Sequence, residues 1–181
     1  AEQLLQELDT IFAGAEGDES TRRLQVAFSV FGKKLLERFL PILQVIGLFE
    51  HYIMTEYVEN TLSAAGISVE GTAITECFHI LENAGFCTEI YEHIFLMHPA
   101  LRSYLLDHAS APEQLQRSFV KTMKDFTVAF ENEESYIGEY YCKHNLANVY
   151  HAKQLSELLG MNEDALTITH SMGCLFWKQR R

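Results

Sequence analysis

The residues of this chain best suited to chemistry are its eight histidines and four cysteines, and His98 stands apart from the rest. It lies in "IFLMHPALRSYLLDH" (Ile94–His108), where an apolar, β-prone run stops at Met-His-Pro and a helical pattern begins. An imidazole at such a junction has two uses. It can cap the hairpin and the new helix through backbone hydrogen bonds, with Pro99 at the first helical position, or it can donate to a ligand. The remaining candidates carry less. Cys77-x-His79 and Cys142-x-His144 offer soft ligands, but a zinc site needs about four converging donors and neither pair has a companion at metal spacing, so no metal site is expected. No Ser, Cys or Thr sits in a glycine-flanked strand-to-helix elbow, and neither G-x-x-x-x-G-K-[ST] nor G-x-G-x-x-G occurs. The chain is therefore expected to have no catalytic residues and no cofactor of its own, and not to be an enzyme. Tyr136, Tyr140, Tyr141 and Tyr150 gather in one stretch, a pattern that reads as packing between stacked helices.

The periodicities around His98 define what must position it. "QLLQELDTIFA" predicts a short helix over residues 3–13, and "GAEGDES" a linker over 14–20. From Thr21 a long helical pattern runs through "FLPILQVIGLFEHY" to Tyr52; its second half is apolar nearly all round and is expected to be buried, with Pro41 starting or kinking its last turns. "MTEYVENTLSAAG" and "TAITECFHILENAGF" predict two further helices stopped at Gly66 and Gly85. The period then changes, and Phe86–Tyr91 and Ile94–Met97 predict a β-hairpin turning at Glu92-His93. Three helices and a hairpin in that order give a winged helix-turn-helix, residues 21–109. Four more helices follow: "PALRSYLLDH", "PEQLQRSFVKTMKDFTVAF", "SYIGEYYCKHNLANVYHAKQLSELLG" with a break near Asn145, and "NEDALTITHSMGCLFWKQ". The last two read as an antiparallel pair closed at Gly160-Met161, and helical solenoids begin this way. The fold class is thus mainly α with one short hairpin.

Composition narrows the functions. With 48% hydrophobic residues, 181 residues suffice for a real core, and the net charge of −11 opposes nonspecific attraction to nucleic acid or anionic membrane. No run approaches a membrane span, and the cysteines are widely spaced, as in a reducing compartment; the chain is expected to be cytoplasmic. It starts at Ala1 and stops at "FWKQRR", which fits a piece of a longer protein. A winged helix usually prompts a DNA-binding reading, but no Lys or Arg occurs between Arg38 and Arg102, while eight glutamates do. Docking on phosphates needs cations, so this module is expected to contact protein rather than DNA.

The order of features resembles the segment that follows the nucleotide-binding core of the signal-transduction ATPases with numerous domains, the STAND class that includes NACHT and NB-ARC proteins. "FLPILQVIGLFEHY" is similar to the "LLPxLxLFxG" helix that opens their winged helix. "FLMHPALRSYLLDH" matches the His-Pro-Ala-Leu form of their Met-His-Asp motif, with Pro99 where plant-type members have aspartate, and "HNLANVYHAKQLSELLGMNEDAL" is similar to the start of their helical repeats. The resemblance spans about residues 21–178, and it implies that residues 110–181 form a right-handed, antiparallel, tetratricopeptide-like helical segment. It implies a noncatalytic regulatory fragment whose partners are the ATPase core and the downstream repeats of the same protein. It also implies that His98 would reach the phosphates of ADP in the full-length protein and hold its resting state. The competing readings are a free-standing winged-helix transcription regulator and a helical adaptor domain, the latter having continuous helix over residues 86–97.

Overall fold

Pro41 donates no backbone hydrogen bond and crowds the preceding turn, and the first helix breaks just ahead of it. The computed structural model describes residues 19–131 and 136–178. The predicted helix over 3–13 lies outside these residues, as does the linker up to Asp18; Glu19 and Ser20, assigned to that linker, are already helical. Helix α1 spans Glu19–Ile46 with a non-helical Phe39 (φ −123°, ψ 21°), so Pro41 opens a separate short helical piece.

That piece ends sooner than its apolar sequence predicts. Backbone bonds from Gly47 to Leu43, Leu48 to Val45 and Phe49 to Ile46 tighten its last turn, and Tyr52–Met54 then forms strand β1 in place of continued helix. Two features account for the difference. A Cβ on Gly47 would lie 3.3 Å from Leu105 Cβ, so the chain passes close to a neighbouring helix there. Tyr52 and Ile53 are also residue types that suit a half-buried pleated surface.

Helices α2 (Thr55–Ala64) and α3 (Ala73–Asn83) follow, then strands β2 (Cys87–Tyr91) and β3 (Ile94–Met97). The hairpin turns at Glu92-His93 as predicted, with His93 at φ 65°. The three strands form one antiparallel sheet in the order β1-β3-β2, with Ile53 opposite Phe95 and Thr88 opposite Leu96. Helix α4 is Pro99–His108, α5 Glu113–Phe130, α6 Tyr136–Leu158 and α7 Asn162–Lys178. The described chain is therefore mainly helical, with a small three-stranded sheet.

No break occurs in α6 at Asn145. Its amide points into the interior, donating to Met54 Sδ at 3.1 Å, and so does not compete with the helix's own backbone. Gly160, at φ 68°, ends α6, and Met161 N–H closes on Ser156 O at 2.8 Å, which folds α7 back along α6. Lys124 meets Asp164 and Glu131 meets Ser171, seven residues on in both helices, so α5 and α7 run parallel. One buried apolar cluster is continuous from Leu35 through Phe49, Phe78 and Leu101 to Phe119 and Ile168, spanning both segments expected from the sequence.

Candidate functional site

His98 sits where three backbone needs meet. Its N–H donates to Phe86 O at 2.9 Å, tying the end of β3 to the start of the hairpin, and its carbonyl accepts from Leu101 N–H at 2.9 Å, opening α4. With φ −69° and ψ 133° it is still extended, and its ring Nδ1 accepts from Ala100 N–H at 3.2 Å. Pro99, at the first helical position, has no N–H to satisfy. His98 is thus an N-cap. An Nδ1 that accepts leaves the proton of a neutral ring on Nε2, so the half-buried imidazole caps with one nitrogen and offers a donor on the other. Capping and ligand donation are compatible here.

The second feature is the surface of α3. The hairpin, α2 and α3 enclose an open groove of about 600 Å³, floored by Met54, Ile74, Phe78 and Phe95. Glu56, Glu59, Glu70, Glu82, Glu89 and Glu92 also line it, with His79 and His93. Beside it, Arg38 pairs with Glu76 of α3 at 2.7 Å. Glu82 Oε1 accepts from Glu89 N–H at 3.1 Å and Glu89 Oε1 from His93 N–H at 2.9 Å, so two of these carboxylates also hold the hairpin. Such a groove repels a phosphate backbone and attracts a cationic surface.

A polar seam joins the loop after α1 to α6. Asn148 Oδ1 accepts from Glu50 N–H at 2.8 Å and its Nδ2 donates to Tyr52 O at 2.9 Å, so one buried amide satisfies both sides of the turn into β1. Arg102 donates to Phe49 O at 3.0 Å and to Glu50 Oε1 at 2.7 Å. His151 Nδ1 lies 3.2 Å from the same Glu50 oxygen, yet makes no aligned hydrogen bond, so the contact is electrostatic and matters only when the ring is protonated. Burial pushes the His151 pKa below its ordinary value, Arg102 adds to this, and Glu50 and the Leu48 backbone oppose it. Sequence reasoning missed Glu50, Arg102, Asn148 and His151 as a group. The available signal was Asn145, Asn148 and His151 at three-residue steps along one helix.

The Cys-x-His pairs do not converge. Cys77 is buried, with its thiol pushed up to about 12 by burial, Cys87 and Glu76, while His79 is exposed. Cys142 is buried, whereas His144 turns Nδ1 to Tyr140 O at 2.8 Å. Tyr140 packs on Tyr91 of the hairpin and on His144, and Tyr150 is exposed; the side chains of Tyr136 and Tyr141 lie outside those described. Tyr140 thus touches the sheet as well as its own helix. No helix among the described residues is long and apolar enough to cross a membrane. Comparisons with protein-family models, with curated proteins and with solved structures each find no match.

Proposed function

We propose that this chain is a noncatalytic regulatory module in which α1–α4 and the sheet form a winged helix-turn-helix that docks on the nucleotide-binding core of a STAND-class ATPase. Helices α5–α7 begin a tetratricopeptide-like sensor or scaffold. The element order helix, strand, helix, helix, strand, strand, with β3 central in the sheet, supports the winged-helix reading. The observation that carries the functional reading is the anionic groove: among the described residues, its lining between α2, α3 and the hairpin has six glutamates and neither Lys nor Arg, where a DNA-reading winged helix needs cations. Its complement is a basic protein surface, and the proposed occupant is that of the core in its ADP-bound state. Regulation then follows from differential contact, the module docked in one nucleotide state and released in the other.

His98 supports the same reading through its Nε2 donor, which suits a phosphate oxygen. In the full-length protein, His98→Asn keeps a side chain that can cap α4 but removes the imidazole donor. Faster ADP release in that variant, with an unchanged unfolding midpoint, supports the phosphate role; wild-type release assigns His98 to capping alone. The continuous helix that a purely helical adaptor needs over 86–97 is replaced by the hairpin. For a free-standing DNA regulator the test is fluorescence anisotropy with random duplex at low salt, where the anionic groove predicts no binding.

A further inference from the structure

The cysteine and histidine nearest the end of the chain belong to no motif considered above, yet they meet a carboxylate from another helix. Glu131 follows α5, and His170 and Cys174 lie one turn apart on α7. Their ligand atoms all fall within 4.8 Å of one another. We propose that Glu131, His170 and Cys174 form a zinc-class metal site that clamps the end of α5 to α7.

Three observations carry the proposal. The first is distance: His170 Nε2 lies 3.7 Å from Glu131 Oε1 and 3.8 Å from Cys174 Sγ. Donors about 2.0–2.3 Å from a tetrahedral zinc lie about 3.3–3.6 Å from each other, so these two gaps are within a few tenths of an ångström of a tetrahedral edge, and the third donor pair lies within 4.8 Å. The second is convergence on a single ring nitrogen. A Cys-His-Glu catalytic relay would place the thiol on one imidazole nitrogen and the carboxylate on the other. Here both address Nε2, which fits a common metal ion and argues against a nucleophile with its base. The third is support for the carboxylate: buried Ser171 donates to Glu131 Oε2 at 3.1 Å, and Oε1 is the oxygen that lies 3.7 Å from His170 Nε2.

The donor set of one sulfur, one nitrogen and one oxygen suits Zn²⁺ or Co²⁺ and not Mg²⁺ or Ca²⁺. His170 is largely exposed, so an ion enters without unfolding, and water fills the fourth position. On binding, the Cys174 thiol releases its proton to solvent and forms a metal–sulfur bond, with no change of oxidation state. The register already set by Lys124–Asp164 would then be locked one step further along the helices.

The experiment is Co²⁺ titration of the full, reduced, metal-free chain, followed by absorption spectroscopy and Zn²⁺ competition. Binding of one Co²⁺ per chain with a thiolate-to-cobalt charge-transfer band is expected, along with displacement by Zn²⁺ and a higher melting temperature in Zn²⁺. Cys174→Ser should abolish the band, while His170→Ala and Glu131→Gln should each weaken binding at least tenfold with unchanged circular dichroism. Absence of the band, or its persistence in Cys174→Ser, overturns the site. So does affinity unaltered in both His170→Ala and Glu131→Gln.

Discussion

The helices and sheet up to His108 and the three helices after it are buried differently. Below His108 the fully buried side chains are almost all apolar: Ile42, Phe49, Ile53, Val58, Phe78, Phe86 and Leu101 among them, with Thr61 the one buried polar residue described. In α5–α7 the interior also takes in Ser118, Thr122, Thr127, Asn145, Asn148, Ser156 and Ser171. Apolar burial is non-directional and tolerates small shifts, whereas a buried amide is satisfied at one register only. The first region is thus built as a body, and the second, which shares its apolar cluster, is also indexed onto it by Asn148 at Glu50 and Tyr52. The proposed docking role needs a rigid body, and the proposed sensor segment needs a defined seat on it.

The largest change should come from the body. Phe78, 1% exposed with its ring 4.5 Å from that of Phe95 and tilted 32° to it, floors the groove, and Phe78→Ala should cost about 3–5 kcal/mol in urea unfolding. Asn148→Ala comes next. It leaves Glu50 N–H and Tyr52 C=O without that partner and should cost about 1–3 kcal/mol, with faster amide exchange in α6 and no comparable change in α3. Equal acceleration in both helices would erase the distinction between the regions. His98→Ala removes one cap and should cost about 1 kcal/mol, most of it restored by His98→Asn.

The smallest effect is a pH dependence of the seam. Because burial lowers the His151 pKa below its unfolded value, the unfolded chain binds the proton more readily, and its contribution is complete at neutral pH. It should fade as pH falls through the ordinary histidine value of about 6.5 and level off below the lowered folded value. The urea midpoint of wild type should drop over that window more than that of His151→Gln.

Much of this was legible in the sequence, and the exceptions share a cause. The hairpin, its Glu92-His93 turn and helices α2 to α7 follow from local periodicity and Gly stops. Strand β1 did not, because "LFEHYIM" continues an apolar helix and its strand character depends on pairing with β3, some forty positions away in sequence. The break assigned to Asn145 failed for the same reason: its partner, Met54, is remote. His98 was placed correctly at the junction. Its two nitrogens could be assigned separate tasks only once Ala100 N–H was seen against Nδ1. Of the Glu131, His170 and Cys174 cluster, the sequence shows only the one-turn spacing of His170 and Cys174; parallel packing of α5 and α7 brings Glu131 to them.

Hydrogen exchange over α3 and the hairpin, residues 73–97, in the full-length protein tests the docking account most directly. Protection of that face with ADP bound, lost with a non-hydrolysable ATP analogue and lost in a Glu82→Lys/Glu89→Lys variant even with ADP, is the result predicted. The same exchange rates in both nucleotide states would contradict it.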